Sequence, residues 1–216
     1  MQPDRTLAPL SREIGHIPLI EPEKLTLNNG VPLYVINAGD QELVRIEFIF
    51  PHVSWNSSKP LQSTATLSLL NEGTSQFSSE ELAENLDYYG AFLQTDFTFD
   101  HATVALYTLN KHISSVLPYL KALLTDAVFP EKELSIYRTN QKEKYKINFQ
   151  KNEFLTRKRF NGLLFGDTLY GHEVSPDDFE NLSREDLRAY FAAAFHPQLA
   201  TVIISGKVSN NIIEEV

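Results

Sequence analysis

The sequence predicts an α+β domain in which a mostly antiparallel sheet packs against several helices. Three observations lead there. Asn28-Asn29-Gly30 separates two short runs of apolar alternation, which is the pattern of a tight hairpin. The remaining periodicities come in groups, β-β-β-α-α-β-β-α-α-α-α-β, and grouped elements indicate segregated helices on an antiparallel sheet. The chain has 216 residues, 42% hydrophobic and 11% aromatic, enough for the core of one large domain or two small ones.

In chain order, residues 1–22 are polar and carry Pro3, Pro9, Pro18 and Pro22, which predicts an extended arm over the domain. Lys24 to Leu27 and Val31 to Ile36 are the hairpin strands. Leu43 to Phe50 is a third strand, with Val44, Ile46, Phe48 and Phe50 on one face. Pro51 to Ser58 is a loop holding the only tryptophan, Trp55. Lys59 to Thr74 is expected to form one compact helix, capped by Ser57 or Ser58, opened by Pro60 and closed by Gly73. Its small Ser, Thr and Ala residues have modest helix propensity, so it is expected to be buried.

Ser78 and Glu81 form a capping box for a helix that Gly90 stops. Strands follow at Ala91 to Phe99 and His101 to Leu109. Asn110 is a cap for the next helix, with a kink or the true start near Pro118, and the helix ends around Ala127. Long polar and shorter helices run from Glu131 to Gln150 and from about Glu153 to Leu164. Ser175 opens a short helical turn, Ser183 opens a helix to Phe195, and Leu199 to Ser205 is the final strand.

The net charge of −9, from 19 basic and 28 acidic residues, argues against a general nucleic-acid binder. There is no cysteine, so neither disulfides nor thiolate metal sites are expected. No apolar run reaches the length of a membrane span. No signal-peptide h-region opens the chain, and cytoplasm and periplasm both stay open.

The run Leu69-Leu70-Asn71-Glu72-Gly73-Thr74 followed by Ser78-Ser79-Glu80-Glu81-Leu82 resembles the end of the first long helix of the pitrilysin/insulinase (M16-type) zinc peptidases. These include the mitochondrial processing peptidases. Tyr88-Tyr89-Gly90-Ala91, Phe129-Pro130-Glu131, Leu169-Tyr170-Gly171-His172 and Val202 to Val208 match in the same order. The resemblance implies a LuxS/MPP-like metallohydrolase domain over residues 23–206, with 207–216 starting a linker to a second domain. In active members the helix carries His-x-x-Glu-His before the Gly-Thr. Two histidines at i and i+4 hold zinc, and the glutamate acts on the metal-bound water. Here the corresponding positions are Thr64, Leu67 and Ser68. The third ligand of the family falls at Tyr145, with Glu143 two places before it. The motif is degenerate, so no catalytic residue and no zinc are expected.

Other chemistries find less support. The six histidines, His16, His52, His101, His112, His172 and His196, lack ligand spacing. Nothing resembles Gly-x-Ser-x-Gly, and Gly162, Gly166 and Gly171 lack the spacing of a phosphate loop. One charged feature remains. Residues 138–159 hold eight cations against Glu143 and Glu153, a local +6, and Arg138, Lys142 and Lys146 form an i, i+4, i+8 stripe. It reads either as a solvated helix face or as a docking face for an acidic partner or for substrate carboxylates.

Together these features lead to the expectation of a non-catalytic M16-like domain. It would bind or enclose a polypeptide, or support an active zinc-peptidase partner or second M16-like domain. An active zinc metalloendopeptidase is the alternative.

Overall fold

A computed structural model describes residues 19–51 and 55–216, with Thr6, Glu13 and Gly15. The arm over 1–22 and the start of the loop at 52–54 lie largely outside these residues. Six strands form one sheet: β1 (Glu23–Thr26), β2 (Pro32–Asn37), β3 (Leu43–Pro51), β4 (Phe92–Phe97), β5 (His101–Leu109) and β6 (Thr201–Gly206). Their order is β1-β2-β6-β3-β5-β4. Every pairing is antiparallel except β2 with β6. Asn29 makes the expected turn, its Oδ1 accepting from the Val31 amide at 3.1 Å.

Alternation decides which face is covered. Val44, Ile46 and Phe50 on β3 share a face with Leu106, Ile204 and Val35 on the neighbouring strands, and all are buried. The helices cover this face. They are α1 (Gln62–Ser68), α2 (Ser79–Tyr88), α3 (Ile113–Thr125), α4 (Glu131–Phe149), α5 (Asn152–Phe165), α6 (Pro176–Glu180), α7 (Arg184–Ala194) and α8 (Asn210–Glu215). One hydrophobic cluster joins Leu67, Leu70, Val116, Leu120, Leu134 and Leu187 to the strand residues. On the opposite face Arg45 reaches Glu47 at 2.7 Å and lies over the Tyr107 ring.

Capping boxes open α2, α6 and α7 from Ser78, Ser175 and Ser183. Three expectations change. The helix expected over 59–74 contracts to α1, and neither Ser57 nor Ser58 caps it; its N-cap is Leu61, without a side-chain bond. Hydroxyls bond back within it, Thr64 to the Leu61 carbonyl at 3.2 Å and Thr66 to that of Gln62 at 2.7 Å, which competes with extension of the helix. Gly73 does not close a helix. At φ 128° it forms a bridge with Ser78, turning the chain into α2. Pro118 lies inside α3, which starts after a 3₁₀ turn at Asn110–His112.

The segment read as a linker start packs on the domain, with Val208 and Ile212 buried in the common core. No helix of the described residues is long and apolar enough to cross a membrane.

Tyr190 on α7 is buried, and loss of hydration pushes its phenol up to about 12. Unfolded, it ionises near 10. Below that pH both states keep the proton and nothing is lost. As pH rises from about 10 through about 12 the unfolded chain ionises first, so about 2–3 kcal/mol of stability disappears. Tyr190→Phe should remove this share of the alkaline loss in urea titrations on either side of that window.

Candidate functional site

α1 is fixed to α7 by polar contacts at its start. Lys59 Nζ bonds the Asp186 carboxylate, and Gln62 Nε2 donates to the Asp186 carbonyl at 2.6 Å. The buried Thr66 hydroxyl also reaches the Leu187 carbonyl. The Asp186 carboxylate accepts from the Ser183 amide at 3.0 Å as part of the α7 cap. Burial pushes the Asp186 acid up, but the bonds from Lys59 and Ser183 outweigh it and hold the acid below its ordinary value. Its folded-state affinity for a proton is thus depressed. The stabilisation is present above the unfolded pKa near 4 and is lost as pH falls through the lower folded value. Asp186→Ala should cost about 1–2 kcal/mol at neutral pH, measured by chemical denaturation, since it removes the carboxylate half of the α7 capping box and its bond from the exposed Lys59.

The helix then sets out three positions on one side. Thr64 is half-buried, Leu67 is 3% exposed within the core, and Ser68 is exposed. Near Thr64 and Ser68 stands Tyr137 of α4, whose phenol is close enough to feel both hydroxyls. Burial raises the Tyr137 phenol above its usual range, and those two hydroxyls pull it back in part. At neutral pH the phenol therefore keeps its proton.

Tyr145 lies elsewhere. Its hydroxyl donates to the Val174 carbonyl at 2.6 Å, and its ring packs against Phe149, Phe154 and Phe179. The residue that meets Thr64 and Ser68 stands about two helical turns earlier on α4. Glu143 accepts from Lys146 at 2.6 Å.

Two aliphatic hydroxyls, a protonated phenol and a leucine side chain do not fit zinc, which takes imidazole, thiolate or carboxylate donors. Among the described residues no group of three or more His, Cys, Asp or Glu side chains is placed to hold a metal ion.

β4, an outermost strand of the sheet, runs close to α1. The turn after it carries Phe99, whose ring meets Tyr170 at 4.9 Å; Tyr170 meets Phe165 at 5.5 Å. The Tyr170 hydroxyl donates to the Asp100 carboxylate. Trp55 packs edge-on to His172 at 5.3 Å, and His172 Nδ1 stands 3.3 Å from Asp167. The expected loop around Leu169 to His172 therefore braces both the β4–β5 turn and the tryptophan.

The basic stripe is not a free face. Arg138 is half-buried, donating to the Leu182 carbonyl at 3.1 Å and to Glu131 at 2.8 Å. Lys142 pairs with Glu180 on α6, holding that acid below its usual range. Lys146 pairs along its own helix with Glu143. Two of the three cations thus fasten α4 to the α6–α7 region.

Comparison with solved structures agrees with this architecture. An M16 peptidase inactive domain from Pseudomonas fluorescens superposes with a TM-score of 0.79 at 19% identity, over 90% of this chain and 48% of that one. This is the fold of an M16 peptidase domain. A protease from Helicobacter pylori gives a TM-score of 0.79 at 16% identity, over 91% of this chain and 49% of that one. The periplasmic protease PqqL from Escherichia coli gives 0.77 at 14%, over 90% and 23%. The chain thus spans about half the length of the first two structures. No family model and no curated protein matches the sequence.

The M16-like fold supplies the site with its parts: a first helix, an outer strand beside it and a long helix opposite. Tyr137 escaped the sequence reading, because counting along the family's spacing passed over it. It follows Leu134 and Ile136 and precedes the polar run Arg138 to Lys142, and carries no motif of its own.

Proposed function

We propose that this chain is a non-catalytic M16-like domain that holds an extended polypeptide along β4, beside the α1 face, and pairs with a second domain. The observation that carries the reading is the contrast between the two neighbours. On α1 the three positions carry Thr64, Leu67 and Ser68 against Tyr137, none able to hold zinc or activate water. Beside it β4 is an outer strand, and an outer strand offers main-chain donors and acceptors to an added strand. Alternate side chains of such a peptide would point toward the α1 face, and its end would pass the Phe99, Tyr170 and Phe165 rings.

Hydrogen exchange tests this. A reduced and alkylated, unfolded model polypeptide should slow exchange at β4 amides and leave those of β1, the opposite outer strand, unchanged. Equal protection at both strands, or at neither, contradicts the reading. Cleavage of that polypeptide by the purified chain would favour an active zinc metalloendopeptidase instead.

A further inference from the structure

Beside the first residues of β4, α2 and α3 wall a pocket of about 170 Å³. Leu82, Leu86, Leu93 and Leu123 line it. Leu82 and Leu123 are buried, so its floor is part of the packed interior. Phe92 and Asp87 also line it, and both are exposed, so they mark its mouth. An apolar cavity of roughly 150 Å³ is enough for a benzene molecule, so this one has room for a single side chain. No cation lines it among the described residues. Asp87 makes no ion pair among them either.

The chain brings this mouth to the edge of the sheet. α2 ends at Tyr88, and the Gly90 amide donates to the Asp87 carbonyl at 3.0 Å, so β4 starts a few residues beyond Asp87. Leu93 pairs with Leu106 of β5, and β4 is the outermost strand on that side. Leu106 is fully buried, so the pair faces the helices. In a strand added beside β4, the residue level with Leu93 sends its side chain to the same face, about 5 Å away.

We propose that the pocket takes one long basic side chain, lysine or arginine, of the polypeptide held along β4. The methylene stem lies against the leucines and the charge reaches Asp87, as such side chains do where an apolar site has a polar rim. A leucine fills the interior and leaves Asp87 unused. A glutamate sets two carboxylates together. The net charge of −9 also favours the approach of a basic segment. The inference rests on the proposed use of β4 and adds to it the class of polypeptide held.

Short capped peptides of alternating threonine and alanine, with one central lysine, methionine, alanine or glutamate, test it. Affinity is read by anisotropy and location by hydrogen exchange. The lysine peptide should bind at least about tenfold tighter than the alanine peptide, through its stem. It should bind about threefold tighter than the methionine peptide, through its charge, and the glutamate peptide should be weakest. Asp87→Asn should close the gap between lysine and methionine, and Asp87→Lys should give the advantage to glutamate. Glu23→Gln removes an equal charge from β1, at the opposite edge of the sheet, and should leave the gap as it is. Ala83→Phe, at an exposed position in the pocket wall, should bring the lysine and methionine peptides down to the alanine one while circular dichroism stays unchanged. Protection of β4 by all four peptides with equal affinity overturns the inference and leaves the proposed function standing. Protection of β4 by none of them overturns both. A lysine preference that survives Asp87→Asn, or that Glu23→Gln reduces equally, belongs to the overall charge and overturns the inference as well.

Discussion

Leu67→Glu should destabilise the chain by about 3–5 kcal/mol, the largest effect expected of any single change on α1. The substitution puts back the carboxylate that active relatives carry at this helical position. In this chain the site for it is gone. Leu67 is 3% exposed and joins Leu70 and Leu187 in the main core. A carboxylate there loses hydration and finds no cation on the same side of α1, since Lys59 is engaged by Asp186. For a domain of this size the loss corresponds to a melting temperature roughly 10 °C lower. Thr64→His and Ser68→His, at half-buried and exposed positions, should stay within about 1 kcal/mol of the parent. Restoring the three-residue motif therefore trades away the core. Urea denaturation of the three single variants checks the ranking. A Leu67→Glu variant as stable as the parent would show that this side of α1 is open to water.

Gly171→Ala should cost about 2–4 kcal/mol and shift the emission of Trp55 to longer wavelength. A Cβ at Gly171 would stand 2.2 Å from the Gly166 carbonyl oxygen and 3.0 Å from that of Asn161. Both are backbone atoms, so the loop itself has to move. The next residue is His172, against which Trp55 packs, and the preceding one is Tyr170, which bonds Asp100. Movement of the loop wets the indole and loosens the β4–β5 turn together. Trp55 is the only tryptophan, so its spectrum reports this contact without interference. An unshifted spectrum with a lowered melting temperature would separate the loop from the tryptophan.

Much of this fold can be read from local signals. Asn29-Gly30 between alternating runs names the β1–β2 turn, and Ser78 with Glu81 names the start of α2, because both patterns act through neighbouring backbone groups. The alternation of Val44, Ile46, Phe48 and Phe50 names the covered face of β3 for the same reason. What escapes local signals is spatial. The length of α1 depends on hydroxyls bonding back to carbonyls and on a bridge between Gly73 and Ser78 that only the folded chain brings together. The partners of Arg138 and Lys142 lie up to 44 residues away, on or beside α6, so a charged stripe on one helix looks free until that helix is packed. Family spacing from Ser68 leads to Tyr145, whereas the α4 hydroxyl near Thr64 and Ser68 is that of Tyr137. The exposed end of α5 escapes too. Leu163-Leu164-Phe165 reads as an ordinary apolar helix end, and only the packed structure turns it outward.

Fluorescence anisotropy of a labelled, unfolded polypeptide, followed for hours with the purified chain and added zinc, tests whether this domain holds a polypeptide without cleaving it. A rise on mixing and a steady plateau are expected if the outer strand β4 takes up the polypeptide beside Thr64, Leu67, Ser68 and Tyr137, none of which suits zinc. A rise that decays as short labelled fragments are released, or no rise at all, would contradict it.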